Sequence, residues 1–163
     1  MFASLALFDP SLSHRTPCFT CPLPLDAGMA LSDELTKPLL LIAEDDVVLR
    51  RLLTATLEHA HYRVIAVANG AEAVRVFQQH KVDLVILDIM MPVMDGLAAC
   101  TQIRALSTVP ILLLSAFSST EVKYKARRSG ASLFLNKPIR PAELKQHIQT
   151  LLQTFLFATT ALD

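Results

Sequence analysis

Between residues 39 and 136 the chain repeats one pattern: a short apolar run stops at a polar or charged group, and a stretch of helical period follows. The runs are "LLLIA" at 39–43, "RVIAVA" at 63–68, "VDLVILD" at 82–88, "VPILLLSA" at 109–116 and "ASLFLN" at 131–136. Their length and branched aliphatic content predict strands. The third is almost uninterruptedly hydrophobic, as a central strand buried on both faces would be. Pro110 is tolerable only near the beginning of the fourth.

The intervening stretches predict helices. One over about 47–60 sets Val48, Leu52, Ala55 and Leu57 near one face, and another near 71–79 follows the Asn69–Gly70 turn. After a loop over Met90–Met94 braced by Pro92, Gly96 opens a third that carries Leu97, Cys100 and Ile103. Ser118 or Ser119 is placed to cap the fourth, Glu121 falls in its first turn, and Gly130 ends it. Pro141 suits the first turn of the last helix, whose Leu144, Ile148, Leu151 and Leu152 make an apolar stripe. Strands alternating with helices of this length predict an α/β fold: a parallel, doubly wound sheet of five strands with five helices and right-handed crossovers.

Residues 1–36 do not share the pattern. Pro10, Pro17, Pro22 and Pro24 interrupt them, and no period is sustained. They read as a flexible N-terminal extension ahead of one domain at 37–155, with 156–163 as a short C-terminal tail. The extension has neither the basic start nor the continuous apolar stretch of a secretory signal. The stretch "MALSDELTKP" from Met29 would itself make a natural start. In the tail, Leu156, Phe157 and Leu162 either lengthen the last helix or form an apolar end.

Composition narrows the class. A chain of 163 residues has room for one domain with a substantial core. Its 15 basic and 15 acidic residues cancel, so no overall field draws it to nucleic acid or to an anionic membrane. No apolar run reaches the roughly 18 residues that would span a bilayer. Cys18 and Cys21 have metal-ligand or redox spacing, but no second Cys/His pair accompanies them and they precede every periodic segment, so an inert reading is favoured. Cys100 falls inside a predicted helix and reads as a small core or half-buried residue.

The chemistry gathers where strands end. In a parallel sheet, Glu44 and Asp45, Asp88, Ser115 and Lys137 all fall on one edge, where open α/β sheets bind ligands. Asp88 lies too far ahead of Gly96 to cap that helix, so its carboxylate is expected to emerge at the edge. Glu44 and Asp45 leave the neighbouring strand together. Clustered carboxylates repel, which predicts a raised pKa or avid binding of a hard cation, and oxygen ligands of this kind suit Mg²⁺ or Mn²⁺. For Asp46 the N-cap of the following helix is favoured over a ligand role. Lys137 is held extended by Pro138, and its ammonium can pair with a carboxylate and then with a phosphoryl oxygen. Ser115 can donate one hydrogen bond to an anion. Lys123 and Lys125, with Arg127 and Arg128, make the fourth helix basic, which fits an acidic partner no better than a plain solvated face.

Taken together, "ED" at 44–45, "LDIMMPVMDG" at 87–96, "LLLSA" at 112–116 and "FLNKP" at 134–138 resemble the receiver domain of two-component response regulators, the CheY-like family, over roughly 37–155. The resemblance implies a flavodoxin/CheY-like three-layer sandwich with strand order 2-1-3-4-5. It also implies that a partner histidine kinase or histidine phosphotransfer protein phosphorylates Asp88. Glu44, Asp45, Asp88 and the backbone carbonyl of Met90 are implied to hold Mg²⁺, with Mn²⁺ as a substitute, while Lys137 helps to offset the phosphoryl charge. Such a receiver catalyses its own phosphorylation and dephosphorylation. Ser115 would be drawn inward and Phe134 would turn into the vacated space. The surface of the fourth helix, fifth strand and fifth helix would then change its affinity for a downstream protein or a second copy. A cytoplasmic location and a cis peptide at Lys137–Pro138 are implied as well. Met90 and Phe117 occupy positions that in this family influence how water reaches the phosphorus; both are apolar, so a long-lived acyl phosphate is expected.

Three other readings bear on this one. A non-phosphorylated receiver-like binding module would typically have lost an acid, the phosphoacceptor or the lysine. A phosphatase-type hydrolase would need a second Asp two positions after Asp88, where Met90 stands. A fragment of a larger response regulator or hybrid kinase stays open, although only "LFATTALD" follows 155, which points to a stand-alone receiver that signals by binding.

Overall fold

The computed structural model describes residues 37–160, with side chains as far as 155. Cys18 and Cys21, the 1–36 extension and Leu162 lie outside the described residues, as do the side chains of Leu156 and Phe157. The apolar runs form β1 (Leu39–Ala43), β2 (Arg63–Val67), β3 (Leu84–Asp88), β4 (Ile111–Ser115) and β5 (Leu133–Asn136). Between and after them run α1 (Val47–Glu58), α2 (Gly70–Gln79), α3 (Gly96–Leu106), α4 (Thr120–Arg128) and α5 (Pro141–Thr160). The last helix therefore continues past the expected domain limit at 155. All four strand pairings are parallel, in the order β2-β1-β3-β4-β5.

Side chains alternate across the pleat and divide the core in two. Leu41, Val85, Leu87, Ile111 and Leu113 face α2, α3 and α4, where they meet Ala73, Ala99, Cys100, Ile103 and Ala126. Leu40, Ile42, Ile86, Leu112 and Leu114 face the opposite way, onto Leu53 and Leu57 of α1 and Leu144, Ile148 and Leu152 of α5. β1, β3 and β4 are buried along their full length, whereas β2 and β5 form the half-exposed sheet edges. Cys100 sits in the core, as its helical setting suggests.

Polar caps set the helix starts. Asp46 accepts from the amides of Val48 and Leu49, Asp95 from Ala98, and Ser119 from Val122. Asn69 accepts from Glu72, whose carboxylate in turn accepts from the amide of Ala68, a near-reciprocal capping pair. Gly130 follows α4 with φ +85°, the left-handed conformation that closes helices most cheaply in glycine.

The face of α1 differs from the expectation. Of Val48, Leu52, Ala55 and Leu57, only Leu57 is buried; Val48 is 77% and Leu52 56% exposed, and Ala55 is exposed too. The helix turns Leu49, Leu53 and Leu57 toward the sheet instead. Val48–Leu52 and Leu49–Leu53 share an i, i+4 spacing, so period alone does not choose between them. The set with three leucines buries more apolar area and wins.

Candidate functional site

Ala43 is in register with Leu87 on the adjacent strand, so the residues that follow, Glu44 and Asp88, leave the sheet side by side. The ladder continues past both: the Glu44 amide donates to Val67 O at 3.2 Å and the Ile89 amide to Leu114 O at 2.9 Å. This continuation buries the two acids, leaving Glu44 1% and Asp88 6% exposed. Asp45, next along, is open to solvent. One carboxylate oxygen from each of Glu44, Asp45 and Asp88 lies within 4.8 Å of the other two.

Lys137 arrives from the far side of the sheet. Its amide extends the β4–β5 ladder by donating to Ser115 O at 2.7 Å, and the Lys137–Pro138 bond is cis. The ammonium then donates to Glu44 Oε2 at 2.6 Å and to Asp88 Oδ2 at 2.8 Å. One lysine thus bridges the ends of β1 and β3.

Charge is unbalanced here. Burial pushes the Glu44 carboxyl up from its ordinary value; the Lys137 hydrogen bond opposes this, and the neighbouring Asp88 and Asp45 carboxylates add to it. Burial also disfavours the Lys137 ammonium, but the hydrogen bonds and charges of Asp88 and Glu44 outweigh that and hold it above the ordinary lysine value. The two directions are compatible because three carboxylates share one ammonium. Fully ionised, the cluster carries two uncompensated negative charges, which one divalent cation would neutralise. The all-oxygen donor set and the solvent-facing Asp45 fit Mg²⁺ with retained waters.

Ser115 is fully buried at the end of β4, one residue beyond the register partner of Asp88, and its hydroxyl oxygen accepts from the Phe117 amide at 3.0 Å. That contact leaves the hydroxyl proton free to point elsewhere. Phe134 lies opposite Leu113 on β5 and is half-buried. It lines a hollow of about 320 Å³ against α4, with Lys123, Ala126 and Arg127. Met90 follows Asp88 by two residues, and its amide makes a long 3.4 Å contact to Asp88 Oδ1. The Met90 and Phe117 side chains are exposed. Asp46 serves as the cap of α1, with backbone amides lowering its pKa.

Two supports escaped the sequence reading. Arg50, one turn into α1, donates through Nη1 to the carbonyls of Glu44 at 2.6 Å and Asp45 at 3.1 Å, tying the acidic pair to that helix. Gly96 packs so closely under the end of β3 that a Cβ there would stand 2.1 Å from the Asp88 carbonyl oxygen. The basic residue four positions after a helix cap was the available signal for the first; the glycine directly after a capping Asp was the signal for the second.

The family described as "Response regulator receiver domain" matches residues 40–149. A probable transcriptional regulator, ycf27, of Cyanidium caldarium is 39% identical over 114 residues, 70% of this chain and 46% of that protein. The transcriptional regulatory protein PdtaR of Mycobacterium tuberculosis is 37% identical over 116 residues, 71% of this chain and 57% of the relative. The chain spans about half the length of the curated relatives it matches. Among solved structures, the Vibrio cholerae chemotaxis protein CheY4 superposes with a TM-score of 0.68 at 32% identity, covering 71% of this chain and 98% of its own. A signal receiver domain from a histidine kinase of Syntrophus aciditrophicus gives 0.68 at 34%, covering 72% and 91%.

Proposed function

The chain belongs to the response regulator receiver domain family, and on that premise we propose that Asp88 accepts a phosphoryl group from a phosphohistidine in a Mg²⁺-dependent reaction. The observation that carries this reading is the lysine bridge, Lys137 Nζ to Glu44 at 2.6 Å and to Asp88 at 2.8 Å, beside the exposed Asp45. Lys137 engages Asp88 Oδ2, so Oδ1 is the less occupied carboxylate oxygen. That oxygen attacks phosphorus in line, the P–N bond breaks, and its electron pair stays on the departing imidazole. An acyl phosphate results. Lys137 offers its positive charge to the phosphoryl oxygens, and the Ser115 hydroxyl offers one hydrogen bond. Bound Mg²⁺, held by Glu44, Asp45, Asp88 and the Met90 carbonyl, would supply the remaining positive charge. The receiver thus acts on itself, and water later removes the group; Met90 and Phe117 cannot orient that water and slow the step.

Output follows from the same pocket. A dianionic group beside Ser115 and Lys137 draws the hydroxyl inward. Phe134, half-buried on β5, then turns into the space that the hydroxyl vacates. The α4–β5–α5 surface then binds a downstream protein or a second copy differently, a population shift between two packings. The phosphoryl donor is a histidine kinase or phosphotransfer protein that meets exposed apolar residues around the acidic edge: Val48, Leu52, Met90 and Phe117. We take 37–155 as the working receiver unit and the cytoplasm as its place of action. Among the described residues no helix is long and apolar enough to cross a membrane. The Syntrophus neighbour, a receiver belonging to a histidine kinase, keeps a second reading in view, in which this receiver serves a larger regulator or hybrid kinase.

Incubation with acetyl phosphate and Mg²⁺, followed by mass-spectrometric mapping, tests the proposal. One phosphoryl group on Asp88, absent when Mg²⁺ is chelated, is expected. No uptake, or uptake on another side chain, overturns it.

A further inference from the structure

The loop between β3 and α3 holds a strained residue at its centre. Val93 has φ +70°, a left-handed conformation in which a β-branched side chain is a steric outlier. Its side chain is 87% exposed, so packing does not compensate. The Met94 amide donates to Pro92 O at 2.8 Å, which closes a γ-turn about Val93, and γ-turns with positive central φ are rare and strained. His61, the other described non-glycine residue at positive φ, stands in the turn after α1, where such a conformation is commonplace. Val93 has no such excuse, and it lies five residues beyond Asp88.

The restraint comes from α2. The Gly70 amide donates to Met94 O at 3.1 Å. Only glycine fits there, because a Cβ would stand 2.7 Å from Met94 O and 3.0 Å from both Asp95 O and Ala99 Cβ. At the other end of the loop the Gly96 amide donates to Ile89 O at 3.0 Å. The segment carrying Met90 is therefore held between two anchored ends. Strain of this kind persists only where its surroundings impose it, and it collects where a mechanism uses it.

We propose that Val93 and Gly70 are opposed positioning residues for the cation site. In the latched arrangement seen here, the Gly70–Met94 hydrogen bond holds the loop in place for Met90 to serve the site. In a relaxed arrangement Val93 returns to its preferred backbone region and the contact with α2 opens. A divalent cation that binds only the latched loop shifts the population toward it and, in doing so, orders the start of α2. Its apparent affinity is reduced by the fraction of molecules that are unlatched. This inference rests on the reading of Glu44, Asp45 and Asp88 as a Mg²⁺ site.

The test is calorimetric titration of Mg²⁺ into the wild type, Val93→Gly and Gly70→Ala, with hydrogen exchange followed at the residue 70 amide. Glycine at 93 removes the penalty on the latched state, so the latched fraction, about a tenth to a third of the metal-free wild type in this account, rises toward one and Val93→Gly should bind Mg²⁺ about three- to ten-fold tighter. Gly70→Ala should bind it more weakly, and Mg²⁺ should slow exchange of the Gly70 amide in the wild type. Val93→Gly alters an exposed side chain, so it decides the matter even if Gly70→Ala fails to fold. Equal affinity of Val93→Gly and wild type, whatever their melting temperatures, overturns the latch and leaves the cation site standing. A wild type that takes up no Mg²⁺ at saturating concentration overturns both.

Discussion

The central strands and their ends are buried to the same degree and behave in opposite ways. Leu40, Leu41 and Ile42 of β1 and Leu84 to Leu87 of β3 are wholly enclosed and apolar. Each such side chain contributes about 1.5–3 kcal/mol by leaving water. Just past this stretch, after Ala43 on β1 and directly after Leu87 on β3, stand the carboxyl side chains of Glu44 and Asp88, also buried. There the loss of water works against the charged form, and the Glu44 carboxyl is pushed up despite the lysine beside it. The interior stabilises the fold; the ends use that stability to hold charges in a place they would otherwise leave. The candidate site sits where burial is unfavourable.

The largest effect separates the two regions outright. Asp88→Asn should abolish phosphoryl uptake from acetyl phosphate while the metal-free protein melts no lower than wild type, because one of three mutually repelling carboxylates is gone and Lys137 keeps Glu44. Two residues upstream the reverse is expected: Ile86→Ala should cost about 2–5 kcal/mol in urea unfolding, while the folded fraction is still modified on Asp88. A melting temperature far below wild type for Asp88→Asn would break the contrast.

Smaller effects sharpen it. A Met90→Asn, Phe117→Glu double variant should lose its phosphoryl group faster than wild type, measured on purified phosphoprotein after acetyl phosphate is removed; equal rates would exclude these side chains from controlling water. The Lys137 ammonium has a folded pKa above its ordinary 10.5. Its pairing therefore contributes stability that is fully present below pH 10.5 and is lost as pH rises through the higher folded value. The stability difference between wild type and Lys137→Met should stay level on the alkaline side of neutrality and shrink only above that point, as read from urea midpoints across pH. The smallest effect belongs to Asp46. As a helix cap it should cost only a modest drop in melting temperature when changed to Ala, with phosphoryl uptake intact, whereas a cation ligand would not permit uptake to survive.

How much of this was legible in the sequence follows from what each feature depends on. The strands, their parallel arrangement and the site at one sheet edge were readable because an apolar run that ends on a charge is a one-dimensional signal. Glu44, Asp45, Asp88 and Lys137 do meet, and the Asp46 cap and the Gly130 stop stand where local backbone chemistry put them. The buried face of α1 was misread because Val48–Leu52 and Leu49–Leu53 share one spacing and differ only in how much area each buries. The Arg50 clamp depends on one side chain folding back onto two carbonyls, and the close fits of Gly70 and Gly96 on backbone approaching from another element. No periodicity encodes that. The resemblance supplied strand order and the cis Lys137–Pro138 peptide, both of which the structure has; composition and spacing alone supplied neither.

The most direct measurement is an anomalous difference map from crystals of this protein grown with Mn²⁺. A single strong peak is predicted within coordination distance of carboxylate oxygens from Asp45 and Asp88, with the Lys137 ammonium still beside Asp88. A cation bound elsewhere at full occupancy, with nothing between those two acids, would contradict the account at its centre.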